Sequence, residues 1–436
     1  MFKLMTEKII IIQHLFQMYP TREVLAFMSV SQEIIDEIDK SLEKTNYDLI
    51  NEAYSGDHES INILNDVIVS EFGEDLKTPE DVLFVQQEIT GLGIIDRILQ
   101  EYPKVTDIGY DGEKLIIQSN DGYQKINDPL LSDEYVNRLL SKIATRVDLD
   151  FTQKESKLSG VIGNLRIQAM NEILSTAGPT FSIRVAQDDL VLTEDNWSDF
   201  ADPFMLKFWK LAMKGHFNTL LSGGMGYGKT SFQKLLLSFC NPGEKIIITQ
   251  DQGEINAKKL LPWLYLYEWI ARAGVSFSDL TVEAFRNNAV WVMPAEVRGI
   301  EVGSMMEGVV AGTNVLTTLH AYNAPAIPRR VALMVLKYFH LNEQSLLEDI
   351  YNYFHFGGQL KRIVLNGKVN RFLDEVVEFR PDLTARTIYK RKRQGSTFTC
   401  RKGKLSQEVR ERMMDFECDV SWLEEVFGFV PENMDA

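Results

Sequence analysis

One stretch constrains this chain more than any other: Thr219-Leu220-Leu221-Ser222 followed by Gly223-Gly224-Met225-Gly226-Tyr227-Gly228-Lys229-Thr230-Ser231. An apolar strand, a loop of the form Gly-x-x-x-x-Gly-Lys-Thr and a helix-like run to Phe239 together make a strand, P-loop and helix unit. Glycines let successive backbone N–H groups turn inward around phosphates, and the helix that follows points its positive end at the same charge. The pattern predicts that Gly223, Gly224, Gly226, Gly228 and Ser231 line a nucleotide. Lys229 is expected to reach the β- and γ-phosphates, and the Thr230 hydroxyl to meet Mg2+. The loop alone implies nucleotide binding and nothing narrower.

The strands around the loop set the fold class. Residues 218–222 and 245–249 are apolar runs with helical patterns between them, which is how a parallel sheet covered on both faces reads. This predicts an α/β domain over residues 206–436, closing with a hairpin about Asn366-Gly367 and a helical segment from Ser406. Residues 81–187 read as an α+β domain: a hairpin about Asp121-Gly122, a helix from Asp133 capped by Ser132 or Asp133, and strand-like pieces at 164–169 and 180–184. Residues 188–205 read as a linker. Residues 1–80 read as an acidic helical extension, with Ile34, Ile35, Ile38 and Leu42 at helical spacing.

Composition narrows the partners. With 436 residues the chain is long enough for two or three domains, and 45% hydrophobic with 25% charged residues is ordinary for a globular protein. A net charge of −16 argues against a general polyanion binder, so direct nucleic-acid binding is not predicted. Three scattered cysteines, Cys240, Cys400 and Cys418, suit a reducing compartment rather than a disulfide framework. The apolar run Ile9-Ile10-Ile11-Ile12 falls far short of a span, so neither a transmembrane helix nor a signal peptide is expected.

Three features downstream say more than the loop. The first is Gln250-Asp251-Gln252-Gly253-Glu254 at the end of the next strand, where Asp251 and Glu254 are placed to position a water or the metal. The second is the strand 289–294 leading to Glu296 and Arg298; an acid there suits a Walker-B role in the Mg2+ shell and in polarising the attacking water, the alternative being a surface Glu-Arg pair. The third is Thr317-Thr318-Leu319-His320-Ala321, whose histidine ends a strand on the same edge and is suited to sensing the γ-phosphate or a neighbouring subunit.

In this order, the P-loop, the Asp-x-x-Glu box, Glu-x-Arg-Gly and Thr-Leu-His-Ala resemble the secretion or traffic ATPases of type II secretion, type IV and Tad pili, and type IV secretion. Upstream, Glu88-Ile89-Thr90-Gly91-Leu92-Gly93-Ile94-Ile95-Asp96 followed by Val105-Thr106-Asp107-Ile108 is similar to the opening of that family's N-terminal domain, above all in the Tad-pilus and type IV secretion (conjugation) branch. The resemblance implies a RecA-like P-loop domain behind an α+β N-terminal domain. It also implies a ring hexamer of this chain's own subunits, working against inner-membrane platform or channel proteins from the cytoplasmic side. Its two N-terminal-domain arginines match Arg166 and Arg184. Lack of a four-cysteine insertion favours the same branch.

This chain departs from the family pattern at several points. Gln250 stands where an acid is usual, Arg286-Asn287-Asn288 replaces Arg-Pro-Asp, Pro294-Ala295 precedes Glu296, and Thr313 replaces a histidine. These changes bear on the rate of hydrolysis rather than on the fold. The reading is an ATP-hydrolysing motor of a secretion, pilus-assembly or conjugation machine. The alternatives are a nucleotide-binding structural subunit with weak or no hydrolysis, and an unrelated P-loop kinase. A basic run, Lys390-Arg391-Lys392-Arg393 with Arg401, Lys402 and Lys404, reads as a solvated hairpin tip or an attraction to anionic lipid.

Overall fold

The computed structural model describes residues 23–25, 30–55, 57–119, 122–128, 130–186, 190–251, 253, 255–272, 274–365, 368–394 and 397–431. The chain divides into two compact units: Met1–Gln187 with Asn366–Lys368, and Asp188–Leu365 with Val369–Ala436. No helix among the described residues is long and apolar enough to cross a membrane.

In the first unit, helices Gln32–Thr45, Tyr47–Ser55, His58–Phe72, Pro79–Ile89 and Ile94–Glu101 share one apolar core with a sheet. Its strands are β1 (Glu23–Leu25), β2 (Asp107–Tyr110), β3 (Leu115–Ser119), β4 (Gly122–Asn127), β5 (Lys157–Ile162), β6 (Leu165–Met170) and β7 (Thr180–Val185). Their order is β1-β4-β3-β2-β7-β6-β5. The hairpin strands β3 and β4 pair antiparallel, while Asn120 and Asp121 of the expected turn lie outside the described residues. Ser132 is the N-cap of helix Asp133–Arg146, accepting from the Tyr135 N–H.

The Gly91-Leu92-Gly93 motif is a folding element. Gly93 has φ +55°, and a Cβ there would meet the Tyr135 hydroxyl at 2.4 Å. That hydroxyl accepts from the Ile94 N–H and donates to Glu88, whose carboxylate also takes Arg97. Asp96 accepts the Leu92 N–H at 2.6 Å.

The second unit is built on strands β8 (Thr219–Ser222), β9 (Ile246–Gln250), β10 (Leu266–Ile270), β11 (Trp291–Pro294), β12 (Asn314–Leu319), β13 (Phe356–Leu365), β14 (Lys368–Phe379), β15 (Ala385–Gln394) and β16 (Thr397–Lys402). The order is β10-β9-β11-β12-β8-β13-β14-β15-β16. From β10 to β13 the pairs are parallel, and β14, β15 and β16 continue as an antiparallel extension. Every residue of β8, β9 and β11 is buried, which is why these segments are apolar without alternation. Edge strand β10 escaped the sequence reading because Tyr267 and Glu268 interrupt its apolar pattern.

Residues 188–205 are not an open tether in their second half. Trp197–Phe200 forms a helical turn, Trp197 and Phe200 are buried against Phe232, and Pro203 opens helix Pro203–Lys214. Aromatic burial here outweighs the polar composition that suggests a linker.

The start of β8 is clamped by one residue. Asn218 donates its side-chain amide to the Tyr353 carbonyl at 2.7 Å, accepts from the Val315 N–H at 2.8 Å, and gives its own N–H to His355 Nδ1 at 3.1 Å. Burial, and then the nearby Arg412 charge, push the His355 imidazole down to about 3. The sign follows from linkage: the unfolded chain takes a proton near pH 6.5 that the folded one refuses until about pH 3. Stability present above pH 6.5 is therefore lost as the pH falls through that window, by on the order of 5 kcal/mol in total. Urea unfolding from pH 7 to pH 4 is expected to show a shallower pH slope in His355→Asn than in the natural chain. An equal slope would reject this assignment.

Candidate functional site

The loop leaves β8 at a point where the sheet holds it from behind: Ser222 Oγ donates to Gln359 Oε1 on the neighbouring β13. Gly226 (φ +68°) and Gly228 (φ +91°) take left-handed backbone that a side chain would strain. Helix Lys229–Leu237 begins immediately after, with Gly228 at its N-cap. The loop backbone from Gly224 to Gly228 thus runs straight into a helix N-terminus, the arrangement that suits polyphosphate.

Lys229 is folded into the loop and 6% exposed. Its ammonium donates to the carbonyls of Gly223 at 3.0 Å and Gly224 at 3.3 Å. Thr230 and Ser231 follow on the helix, both half-buried. Gln233, one turn on, braces the helix against the sheet by donating to the carbonyls of Pro294 and Leu316.

His320, Glu296 and Arg298 meet at the ends of β11 and β12. His320 Nδ1 lies 2.8 Å from the Gly223 carbonyl, and its Nε2 lies 2.9 Å from Glu296 Oε1. Arg298 Nε donates to the same oxygen at 3.0 Å, so the strand-end Glu-Arg pair does form, and the carboxylate serves the histidine as well. Burial pushes the Glu296 carboxyl up, but the Arg298 hydrogen bond and the charges of Lys229, Arg298 and His320 outweigh it and hold the group below the usual carboxylate range. The result is a polar chain from the P-loop backbone through an imidazole to an ionised acid.

Pro294 ends β11 two positions before this acid, in register with Thr249 of β9. A proline has no N–H for the ladder, yet its carbonyl accepts from the Thr317 hydroxyl at 2.7 Å, and the Ala295 carbonyl accepts from Thr318 at 2.9 Å. Thr318, which opens the Thr-Leu-His-Ala box, and Thr317 just before it thus hold the strand end that carries Glu296.

The remaining candidates are placed differently. Gln250 is 1% exposed and turned away from the loop: its amide donates to Glu268 at 2.8 Å and its carbonyl accepts the Ile255 N–H at 3.1 Å. Asp251 is exposed just past β9, and Glu254 lies outside the described residues. Arg166 and Arg184 belong to the first unit, where they stand directly opposite each other on β6 and β7. Arg184 also meets Asp107 at 3.4 Å on its other side.

One residue at the loop was not predicted. Arg371 on β14 donates from Nε to the Gly226 carbonyl at 2.7 Å. No motif marks it. Only the sheet order reveals that β13, paired beside β8, runs on past the loop and that β14 returns alongside it. Holding an outward carbonyl at the loop tip favours the inward-facing amides. Arg371→Ala is expected to weaken ATP binding about tenfold, the scale of one charge-assisted hydrogen bond. Calorimetric titration with ATP checks it, and unchanged affinity would mean the contact does not organise the loop.

The family model for type II/IV secretion system proteins matches residues 119–351, more than half of the chain. The chain belongs to the type II/IV secretion system protein family. It is 35% identical over 353 residues to an uncharacterized protein of Bacillus anthracis, covering 78% of this chain and 80% of that one. A Mycobacterium tuberculosis (strain CDC 1551 / Oshkosh) protein whose name assigns it to conjugal transfer is 24% identical over 265 residues, covering 57% of this chain and 74% of that one. Among solved structures, the Yersinia pseudotuberculosis ATPase DotB superposes with a TM-score of 0.51 at 14% identity, covering 66% of this chain and 80% of its own. That likeness speaks for the fold: this secretion-family chain has the RecA-like α/β architecture with an α+β region and helices ahead of it.

Proposed function

We propose that this secretion-family protein is an ATP-hydrolysing motor of a membrane-associated secretion, pilus-assembly or conjugation machine, acting as a ring hexamer at the cytoplasmic face of the membrane. The observation that carries the reading is the contact chain from the Gly223 carbonyl through His320 to Glu296, with Lys229 drawn into the loop beside it. Such a chain lets phosphate occupancy at the loop alter the position of the acid at the end of β11.

In this mechanism Lys229 leaves the Gly223 and Gly224 carbonyls for the β- and γ-phosphates, while loop amides hold the remaining oxygens. Mg2+ when bound neutralises phosphate charge; Thr230 and Glu296 are the residues that would hold its shell. Glu296, ionised at neutral pH, is the acceptor for the proton of the attacking water, with Asp251 and Glu254 in support. His320 reports the change to the strand end. Arg166 and Arg184 stand directly opposite each other on adjacent strands, and the planar forks of both suit the phosphate oxygens of a nucleotide in a ring.

A second reading rests on Gln250. Its amide is committed to Glu268 and its carbonyl to Ile255, so the position that carries an acid in the resembling family brings no charge to the loop here. This favours a slow enzyme or a nucleotide-gated structural subunit. Phosphate release from ATP by the purified chain separates the two: turnover above the Lys229→Ala background supports the motor. Measurable ATP binding without turnover leaves the structural subunit.

A further inference from the structure

The chain is strongly segregated in charge. Its net charge is −16, yet residues 383–407 hold eight lysines and arginines and no acid. These residues include all of β15 and β16, the last two strands of the sheet in the second unit.

The two faces of this ribbon differ. On one face Tyr389 donates to Asp202 at 2.7 Å, Arg391 donates to the Phe200 carbonyl at 2.8 Å and stacks on Phe398, and the Lys402 ammonium sits over the Phe204 ring. That face is therefore the packed one. The register pairs Lys390 with Arg401 and Lys392 with Thr399, so these four residues share the opposite face. Lys392, Thr399 and Arg401 are exposed there, and Lys390 reaches back to Asp374 and Glu375.

Two simpler explanations do not account for the pattern. Lysines on an edge strand discourage unwanted strand pairing, but Lys390 is paired on both sides, with Glu375 of β14 and Arg401 of β16. Binding of unpaired nucleic-acid bases uses exposed rings, and here Tyr389 is buried, Phe372 is buried and Phe398 is covered by Arg391. What is left is a sheet face whose exposed charge is cationic and which offers no stacking platform.

We propose that this face docks on an anionic lipid surface, with Lys392 and Arg401 as its principal contacts. Cations close to an anionic leaflet are attracted within about one Debye length, so a local patch acts even on a chain that is acidic as a whole. The inference does not depend on whether the chain hydrolyses ATP.

The test is co-sedimentation of the full chain with vesicles of phosphatidylcholine and phosphatidylglycerol, against vesicles of phosphatidylcholine alone. Binding is expected only to the anionic vesicles and to fall with added salt. Lys392→Gln with Arg401→Gln should weaken it about thirtyfold, from about fivefold per cation lost. A control pair, Lys258→Gln with Lys259→Gln, should leave it unchanged. Unaltered ATP affinity in each variant verifies the fold. Equal binding to both vesicle types, no binding to either, or equal loss in both variant pairs would overturn the proposal. So would tighter binding to single- or double-stranded DNA oligonucleotides that the Lys392→Gln, Arg401→Gln chain loses.

Discussion

Lys229→Ala is expected to weaken ATP binding about a hundredfold or more and to bring phosphate release to background. Two effects add. The ammonium is folded into the loop 3.0 Å from the Gly223 carbonyl, so its removal takes a positive charge away from the place where phosphate is expected. Removal also leaves the buried side of the Gly223 carbonyl with His320 alone among the partners seen here, loosening the loop before any nucleotide arrives. Calorimetric titration with ATP and a phosphate-release assay measure both consequences. Affinity within a few-fold of the natural chain would show that the loop binds nucleotide in another way, and the motor reading would fail with it.

Glu296→Gln is expected to separate binding from chemistry. The amide is the same size and can still meet His320 and Arg298, so ATP affinity should stay within a few-fold. Turnover should drop by about 10²–10³-fold, because a neutral amide cannot take a proton from water. The acid is depressed in its pKa, so in the natural chain it is charged throughout the neutral range and gains its proton only below the usual carboxylate range. If Glu296 is the acceptor, the acid limb of the rate profile lies in that low region and vanishes in the variant. Unchanged turnover in Glu296→Gln would transfer the role elsewhere, with Asp251 the first alternative.

Much of the molecule was legible because local chemistry and tertiary structure agree. The glycine pattern from Gly223 to Gly228 marks a loop that only residues without a Cβ form easily, and Gly226 and Gly228 do adopt left-handed backbone. The unbroken apolar runs at β8, β9 and β11 follow from burial on both faces of a parallel sheet. Ser132 caps its helix because a hydroxyl at that place satisfies an amide the helix cannot. Strand β10 and the buried turn Trp197–Phe200 went unread for a shared reason. Each carries polar or charged groups whose cost is removed by partners outside the element: Gln250 donates to Glu268, and the Asp202 carbonyl accepts from Trp197.

The sequence by itself determined the family and the sheet class, because each is written in contiguous stretches with a fixed spacing. Tertiary structure decided which side chains act together. His320 and Lys229 are 91 positions apart and meet at 3.4 Å only because β12 lies next to β8. Arg371 reaches Gly226 across 145 positions because β14 folds back along the loop. Gln250, adjacent in sequence to a box of expected acids, is turned the other way by the β10 edge. Strand order is a long-range property set by packing of whole surfaces, and no local spacing encodes it.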